Sequence, residues 1–245
     1  MAHHHNPLSQ FEISYLTSFP KVAGLNLNFS NSALFMVIVV LAVTAFVAGG
    51  IRKRSLVPGR WQAMAEICYE FVASTVRDNV GLEGRKYFPF IFTLFMYILT
   101  CNLFGMVPYS FTVTSHIAVT FALAMMVFLT VTGIAFIRHG TKFFGYFLPH
   151  GTPWWLAPLM IIIEIFAYLA RPISLSVRLF ANMMAGHVLL KVIAGFILTM
   201  GIWGGWLPLS FTVVMTGFEI FVAILQAYIF TILSCVYLHD AIHLH

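Results

Sequence analysis

Apolar residues fill long stretches of this chain, and short clusters of basic residues separate them. Ser32–Gly50 is an uncharged run of about 20 residues, long enough for one membrane span. Arg52, Lys53 and Arg54 follow it, with Arg60 close by. Basic clusters stay on the cytoplasmic side of membranes, so this end is expected inside and the N-terminus outside. Phe88–Tyr109 forms a second span, preceded by Arg85 and Lys86. The link after Pro108 carries no Lys or Arg, as an outer loop should, and His116–Ile137 returns to Arg138, His139 and Lys142.

Trp61–Val80 has a different pattern. Trp61, Met64, Ile67, Cys68, Phe71, Val72 and Val76 recur at helical spacing, while Gln62, Glu66, Glu70 and Arg77 take the other face. That fits an interfacial helix or an amphipathic helix packed under a neighbouring subunit.

The last hundred residues exceed what upright spans need. Pro153–Met200 would extend roughly 72 Å as a helix and Leu207–Asp240 roughly 51 Å, against about 30 Å of hydrocarbon. These elements must be steeply tilted, or broken at places such as Pro172 and Gly195. Gly201, Gly204, Gly205 and Pro208 mark the turn between them. The predicted fold is an all-α polytopic membrane protein in a single domain, 1–245. It comprises an outer-side lead-in (1–30), a span (31–51), an interfacial helix (58–80), two spans (88–109 and 115–137) and a tilted helical hairpin (153–200 and 207–240). The C-terminus lies inside.

Composition agrees: 60% of the 245 residues are hydrophobic and 9% charged, where soluble domains carry about 25% charged residues. The net charge of +5 does not suggest nucleic acid, because the Lys and Arg residues sit between apolar runs rather than on one basic face. Cys68, Cys101 and Cys235 have no metal or redox spacing and read as small apolar fillers. His3–His5 have no second ligand cluster, and no cofactor or metal is expected.

The charges inside the hairpin carry the chemistry. A charge in hydrocarbon costs from about 3 to over 10 kcal/mol, so each must face a partner, water or another subunit. Glu164, Arg171 and Arg178 are seven apart and share one helix face, with Asn182 and Gly186 near that stripe. Glu164 lies about 21 Å along the axis from Arg178; His187 lies about 13.5 Å beyond in the other direction, half a revolution away. Glu219 and Gln226 are again seven apart. Glu and His can be tuned to relay protons, whereas Arg keeps its proton and acts as a barrier and counter-ion. A structural Glu164–Arg171 pair is the simpler alternative for those two. His116 and Asn102 fit either a relay or a satisfied polar interior, and Lys191 can snorkel.

The run Arg171-Pro-Ile-Ser-Leu-Ser-Val-Arg178-Leu-Phe-Ala-Asn182-Met-Met-Ala-Gly186-His187 resembles the signature of subunit a of the rotary ATP synthase. Glu219-Ile-Phe-Val-Ala-Ile-Leu-Gln226-Ala-Tyr228-Ile-Phe is similar to that family's last helix, and Asn102-Leu-Phe-Gly-Met-Val-Pro108 and Thr114-Ser-His116 extend the likeness. The resemblance implies a stator whose Arg178 faces the essential carboxylate of a rotating c-ring and separates two offset half-channels. Glu219, His187, His116, Asn182, Gln226 and Asn102 would line the outer path, and Glu164 the inner one. Peripheral-stalk (b-type) and other membrane-sector subunits are the implied partners, with the bilayer. Compared with many bacterial members, Glu and His are exchanged between positions 187 and 219. That pattern, and the ending His239–His245, resemble mitochondrial and α-proteobacterial members. A mitochondrial or bacterial inner membrane follows, with H⁺ or Na⁺ chosen mainly by the ring. Two other classes compete. A haem protein needs paired histidines at matching depth, and only His116 and His187 lie in apolar segments. A secondary transporter with an intramembrane charged pathway should show internal repeats, which this sequence lacks.

Overall fold

A computed structural model describes residues 15–17, 29–52, 58–107, 111–140, 143, 145 and 155–243. His3–His5, Lys53, Arg54, Pro108, Lys142, His150, Pro153 and His245 therefore lie outside the described residues. The protein is an all-α polytopic membrane protein. Among the described residues the six long helices are α1 (Asn31–Arg52), α2 (Arg60–Val80), α3 (Phe88–Gly105), α4 (Ile117–His139), α5 (Ala157–Gly204) and α6 (Trp206–Ile242). All but α2 are long and apolar enough to cross a membrane. A small antiparallel ribbon, Tyr15–Thr17 with Phe29–Ser30, clips the lead-in just before α1. Ser30 then starts α1, its hydroxyl accepting the Ala33 N–H at 3.3 Å.

α6 is the central element, packed against α2, α3, α4 and α5. Its buried residues recur at helical spacing: Glu219, Ala223, Gln226, Ala227, Phe230, Thr231, Ser234, Cys235, Leu238 and Ala241. The alanines and Ser234 allow close approach, which supports packing between helices that lipid would otherwise solvate equally well. Phe230, Leu175, Leu179, Ile91, Ile98 and Val72 fill the core they enclose. α1 is peripheral and buries only Ser32, Val39 and Gly50.

The amphipathic helix α2 divides its apolar residues. Val72, Val76 and Val80 pack into the core of the same chain, whereas Trp61, Met64 and Ile67 are exposed. Its valines near the C-terminus are therefore covered by this chain itself, and the exposed apolar residues gather from Trp61 to Phe71.

α5 runs through Pro172 and Gly195 without leaving helical geometry; the break falls at Gly201 (φ 64°, ψ −166°). Proline inside a membrane helix is tolerated because the carbonyl it frees finds other partners. Gly195 is simply helical, and a Cβ there would meet nothing within 4 Å. Gly201 is different, since its backbone lies in a region that only glycine enters readily. The chain folds back there, and the Gly205 N–H donates to the Gly201 carbonyl at 2.9 Å. α6 starts immediately afterwards.

Polar contacts gather one end of the bundle. Arg138, at the end of α4, pairs with Glu83 in the short 3₁₀ turn after α2. Arg171 of α5 pairs with Asp240 of α6 at 3.2 Å, and His139 Nε2 contacts the Ile242 carbonyl at 3.2 Å.

The Gly201 geometry predicts that Gly201→Ala lowers the stability of the purified protein by about 1–3 kcal/mol. Gly195→Ala, at a helical position with open space, should change it by less than about 1 kcal/mol. Thermal unfolding of the two variants in one detergent compares them; equal midpoints would contradict the assignment of the break.

Candidate functional site

The two hairpin helices present opposite faces of α5 to different surroundings. Leu175, Leu179, Met183 and His187 point into the bundle. Ser174, Val177, Arg178, Ala181, Asn182 and Ala185 are exposed. This is the consequence of 3.6 residues per turn: positions nine apart face opposite ways. Small residues one turn to either side of Arg178, Ser174 and Ala181, and Ala185 two turns on, leave its guanidinium unobstructed. Among the described residues no carboxylate pairs with it.

Arg171 contrasts with Arg178 although it shares the stripe. Its guanidinium lies between the rings of Tyr168 (5.3 Å) and Tyr237 (5.1 Å) and pairs with Asp240. An arginine held by two π faces and a carboxylate is a structural cation. The partner is thus Asp240 and not Glu164. Glu164 is half-buried on α5, and no ion pair holds it among the described residues.

On the inner face a polar cluster joins α3, α5, α6 and the α3–α4 connector. His187 Nδ1 lies 3.5 Å from Glu219 Oε1, with His187 7% and Glu219 5% exposed. Both Glu219 oxygens lack a hydrogen-bond partner among the described residues, so this imidazole is the polar group within reach. Gly186 makes the approach possible. A Cβ there would meet Glu219 Cδ at 2.9 Å and Cγ at 3.2 Å, with Oε1 closer still.

Two turns along α6 from Glu219, Gln226 Oε1 accepts from Asn182 Nδ2 at 2.8 Å. Asn102 of α3 donates to the Ala223 carbonyl of α6 at 3.1 Å. Asn102 Oδ1, Gln226 Nε2, Thr114 Oγ1 and His116 Nε2 are buried with no partner among the described residues. Such groups are normally satisfied, often by ordered water, so their accumulation marks a polar, hydratable interior.

Residues 111–115 of the connector are enclosed. Phe111, Thr112, Val113, Thr114 and Ser115 are all buried, as irregular backbone at membrane depth must be. Ser115 Oγ donates to the Thr112 carbonyl at 2.6 Å. His116 stacks on Phe111 at 5.0 Å and caps α4, so it borders the cluster without touching His187. Thr112, a residue that periodicity and charge did not single out, reaches His187 Nε2 at 3.2 Å. Hydroxyls in a short uncharged loop give no sequence signal of their own; only the fold brings them to the imidazole.

The structure therefore brings Glu219, His187, Gln226 and Asn102 into one interior region with Thr112, and exposed Asn182 reaches its edge through Gln226. It places His116 at its edge, and leaves Arg178 outside on the far face with Glu164 displaced toward the other end.

The close fit at Gly186 predicts that Gly186→Ala destabilises the purified protein by about 1–3 kcal/mol through overpacking. Glu219→Ala removes the obstructing carboxylate, so the double variant should be less destabilised than the sum of the two. Strict additivity in thermal unfolding would contradict this contact.

A profile of the ATP synthase A chain family matches residues 33–239. Two similar curated proteins are named "ATP synthase subunit a", one from Ehrlichia ruminantium (strain Welgevonden) and one from Ehrlichia chaffeensis (strain ATCC CRL-10679 / Arkansas). Each is 54% identical over 240 residues, covering 98% of this chain and 99% of the relative.

Proposed function

We propose a mechanism for a chain that belongs to the ATP synthase A chain family and, as such, is a proton-conducting subunit of that enzyme's membrane sector. Family membership sets the secondary-transporter alternative aside. The observation that carries the mechanism is Arg178: an exposed, permanent cation on one face of α5, with an enclosed His187–Glu219 cluster to one side and Glu164 to the other.

Two offset half-channels meet the rotor on either side of Arg178. His187, Glu219, Asn182, Gln226, Asn102 and His116 border the path from the outer side, and Glu164 lies on the path to the inner side. The buried polar atoms without protein partners support a water-lined outer path. The partner facing Arg178 is a ring of c subunits, each carrying a carboxyl group; b-type stalk subunits and lipid cover the remaining apolar surface. α1, α3 and α4 cross the membrane, α2 lies along its inner face, and α5 and α6 form the inclined hairpin. The N-terminus is outside and the C-terminus inside, in a bacterial or mitochondrial inner membrane.

The chemistry follows from charge. A protonated ring carboxyl is neutral and can pass through lipid. On reaching Arg178 it loses its proton, because the guanidinium favours the carboxylate and holds it by charge-assisted contact. That contact has to break at each step, which suits an exposed arginine better than a buried ion pair. Moving one charge through 100 mV is worth about 2.3 kcal/mol, and this turns a rotor only when protons have no direct route past it. A group that cannot release its proton blocks that route.

Two experiments in vesicles test this, with each variant at wild-type complex abundance. Arg178→Ala should abolish ATP synthesis and open a passive proton leak. Arg178→Lys should fail as well, because a desolvated lysine can lose its proton and lacks the planar fork; near-normal coupled synthesis with Lys would rule out the permanent-cation mechanism. Glu219→Gln should slow proton-driven synthesis while leaving assembly intact. Unchanged synthesis in that variant would remove Glu219 from the path.

A further inference from the structure

Thr112 sits in the buried connector between α3 and α4, fully shielded from solvent. Its hydroxyl has two neighbours: the Gly105 carbonyl at 3.4 Å and His187 Nε2 at 3.2 Å. A carbonyl can only accept, so the single hydroxyl proton goes to Gly105. The oxygen is then left to accept from His187, which requires a proton on Nε2. The position is fixed from both sides. Glycine at 105 lets the Thr112 side chain come within 2.7 Å of where a Cβ would stand. The Ser115 N–H and hydroxyl both donate to the Thr112 carbonyl.

We infer that Thr112 is a positioning residue that fixes neutral His187 as the Nε2–H tautomer and turns the Nδ1 lone pair toward Glu219. The inference rests on the proton-path reading above and extends it to the order of events. Once the 3.5 Å gap between them shortens, protonated Glu219 donates its O–H to Nδ1. Transfer breaks that O–H bond and forms an N–H bond, leaving a carboxylate beside an imidazolium. The Nε2–H keeps its acceptor on Thr112 throughout, and the return step reverses the same two bonds. His187 therefore exchanges protons at Nδ1 alone. Passage through the ring from Nε2 would need the Thr112 hydroxyl to abandon Gly105 and surrender its own proton.

The test uses the intact enzyme with ¹⁵N-labelled histidine, at a pH where His187 is neutral. The His187 ring signals are assigned by their absence from the His187→Gln enzyme. Wild type should show a protonated Nε2 and an unprotonated Nδ1. Thr112→Ser keeps the hydroxyl and should retain that signature, with ATP synthesis within about twofold of wild type. Thr112→Val keeps the shape and loses the acceptor. It should shift a large share of His187 to the Nδ1–H form and slow synthesis about tenfold, the worth of one such hydrogen bond. A protonated Nδ1 in wild type, or an unaltered tautomer in Thr112→Val, would overturn the assignment. The tautomer is read without transport, so the two claims separate. The expected spectra with unchanged synthesis in Thr112→Val and Glu219→Gln would uphold the assignment and refute the proton path.

Discussion

An unbroken helix keeps Arg178 and His187 about two and a half turns apart, on opposite faces, and most of what surrounds them depends on that separation. The permanent cation stays on the outward face of α5 while the imidazole stays inside the bundle. A kink between them would turn one group toward the other's environment. An arginine in the interior would need a carboxylate close by, and Glu219 is the acid that stands there. Helical geometry through Pro172 preserves the arrangement upstream, and the chain reverses only at Gly201, well past both groups.

The two arginines on the α5 stripe show how surroundings divide identical chemistry. Arg171 is fixed by Asp240 and two tyrosine rings and ties α5 to α6. Arg178, two turns on, has small neighbours and no carboxylate among the described residues. The first contact holds the hairpin together at one end, and that rigidity lets the second group stand unpaired at a fixed place. Inside, cost is limited by pairing polar groups across helices: Gln226 with Asn182 at the bundle edge, Asn102 with the α6 backbone, His187 with Thr112. The atoms left over are those that water would satisfy.

Much of this was legible in the sequence, for identifiable reasons. Long apolar runs and one-sided basic clusters reveal spans because the bilayer imposes a single length scale. The spacing of Glu164, Arg171, Arg178 and His187 gives their faces because a helix has a fixed period. What escaped depends on tertiary contact. Arg171 looked equally ready to pair with Glu164, and only the packing of α5 on α6 selects Asp240. Gly195 and Gly201 are alike as letters, yet only Gly201 adopts a backbone that needs glycine. Thr112 carries no periodicity and no charge, so its role became visible only when the connector was found folded into the bundle.

The most direct test of the central claim is an experimental structure of the assembled membrane sector with its rotor ring. The expected result has the Arg178 guanidinium facing the ring carboxylate with at most water between them, Glu219 and His187 toward one side of that contact, and Glu164 toward the other. A structure in which Arg178 is buried against a carboxylate of a stationary subunit, or in which Glu164 and Glu219 open to the same side, would contradict it.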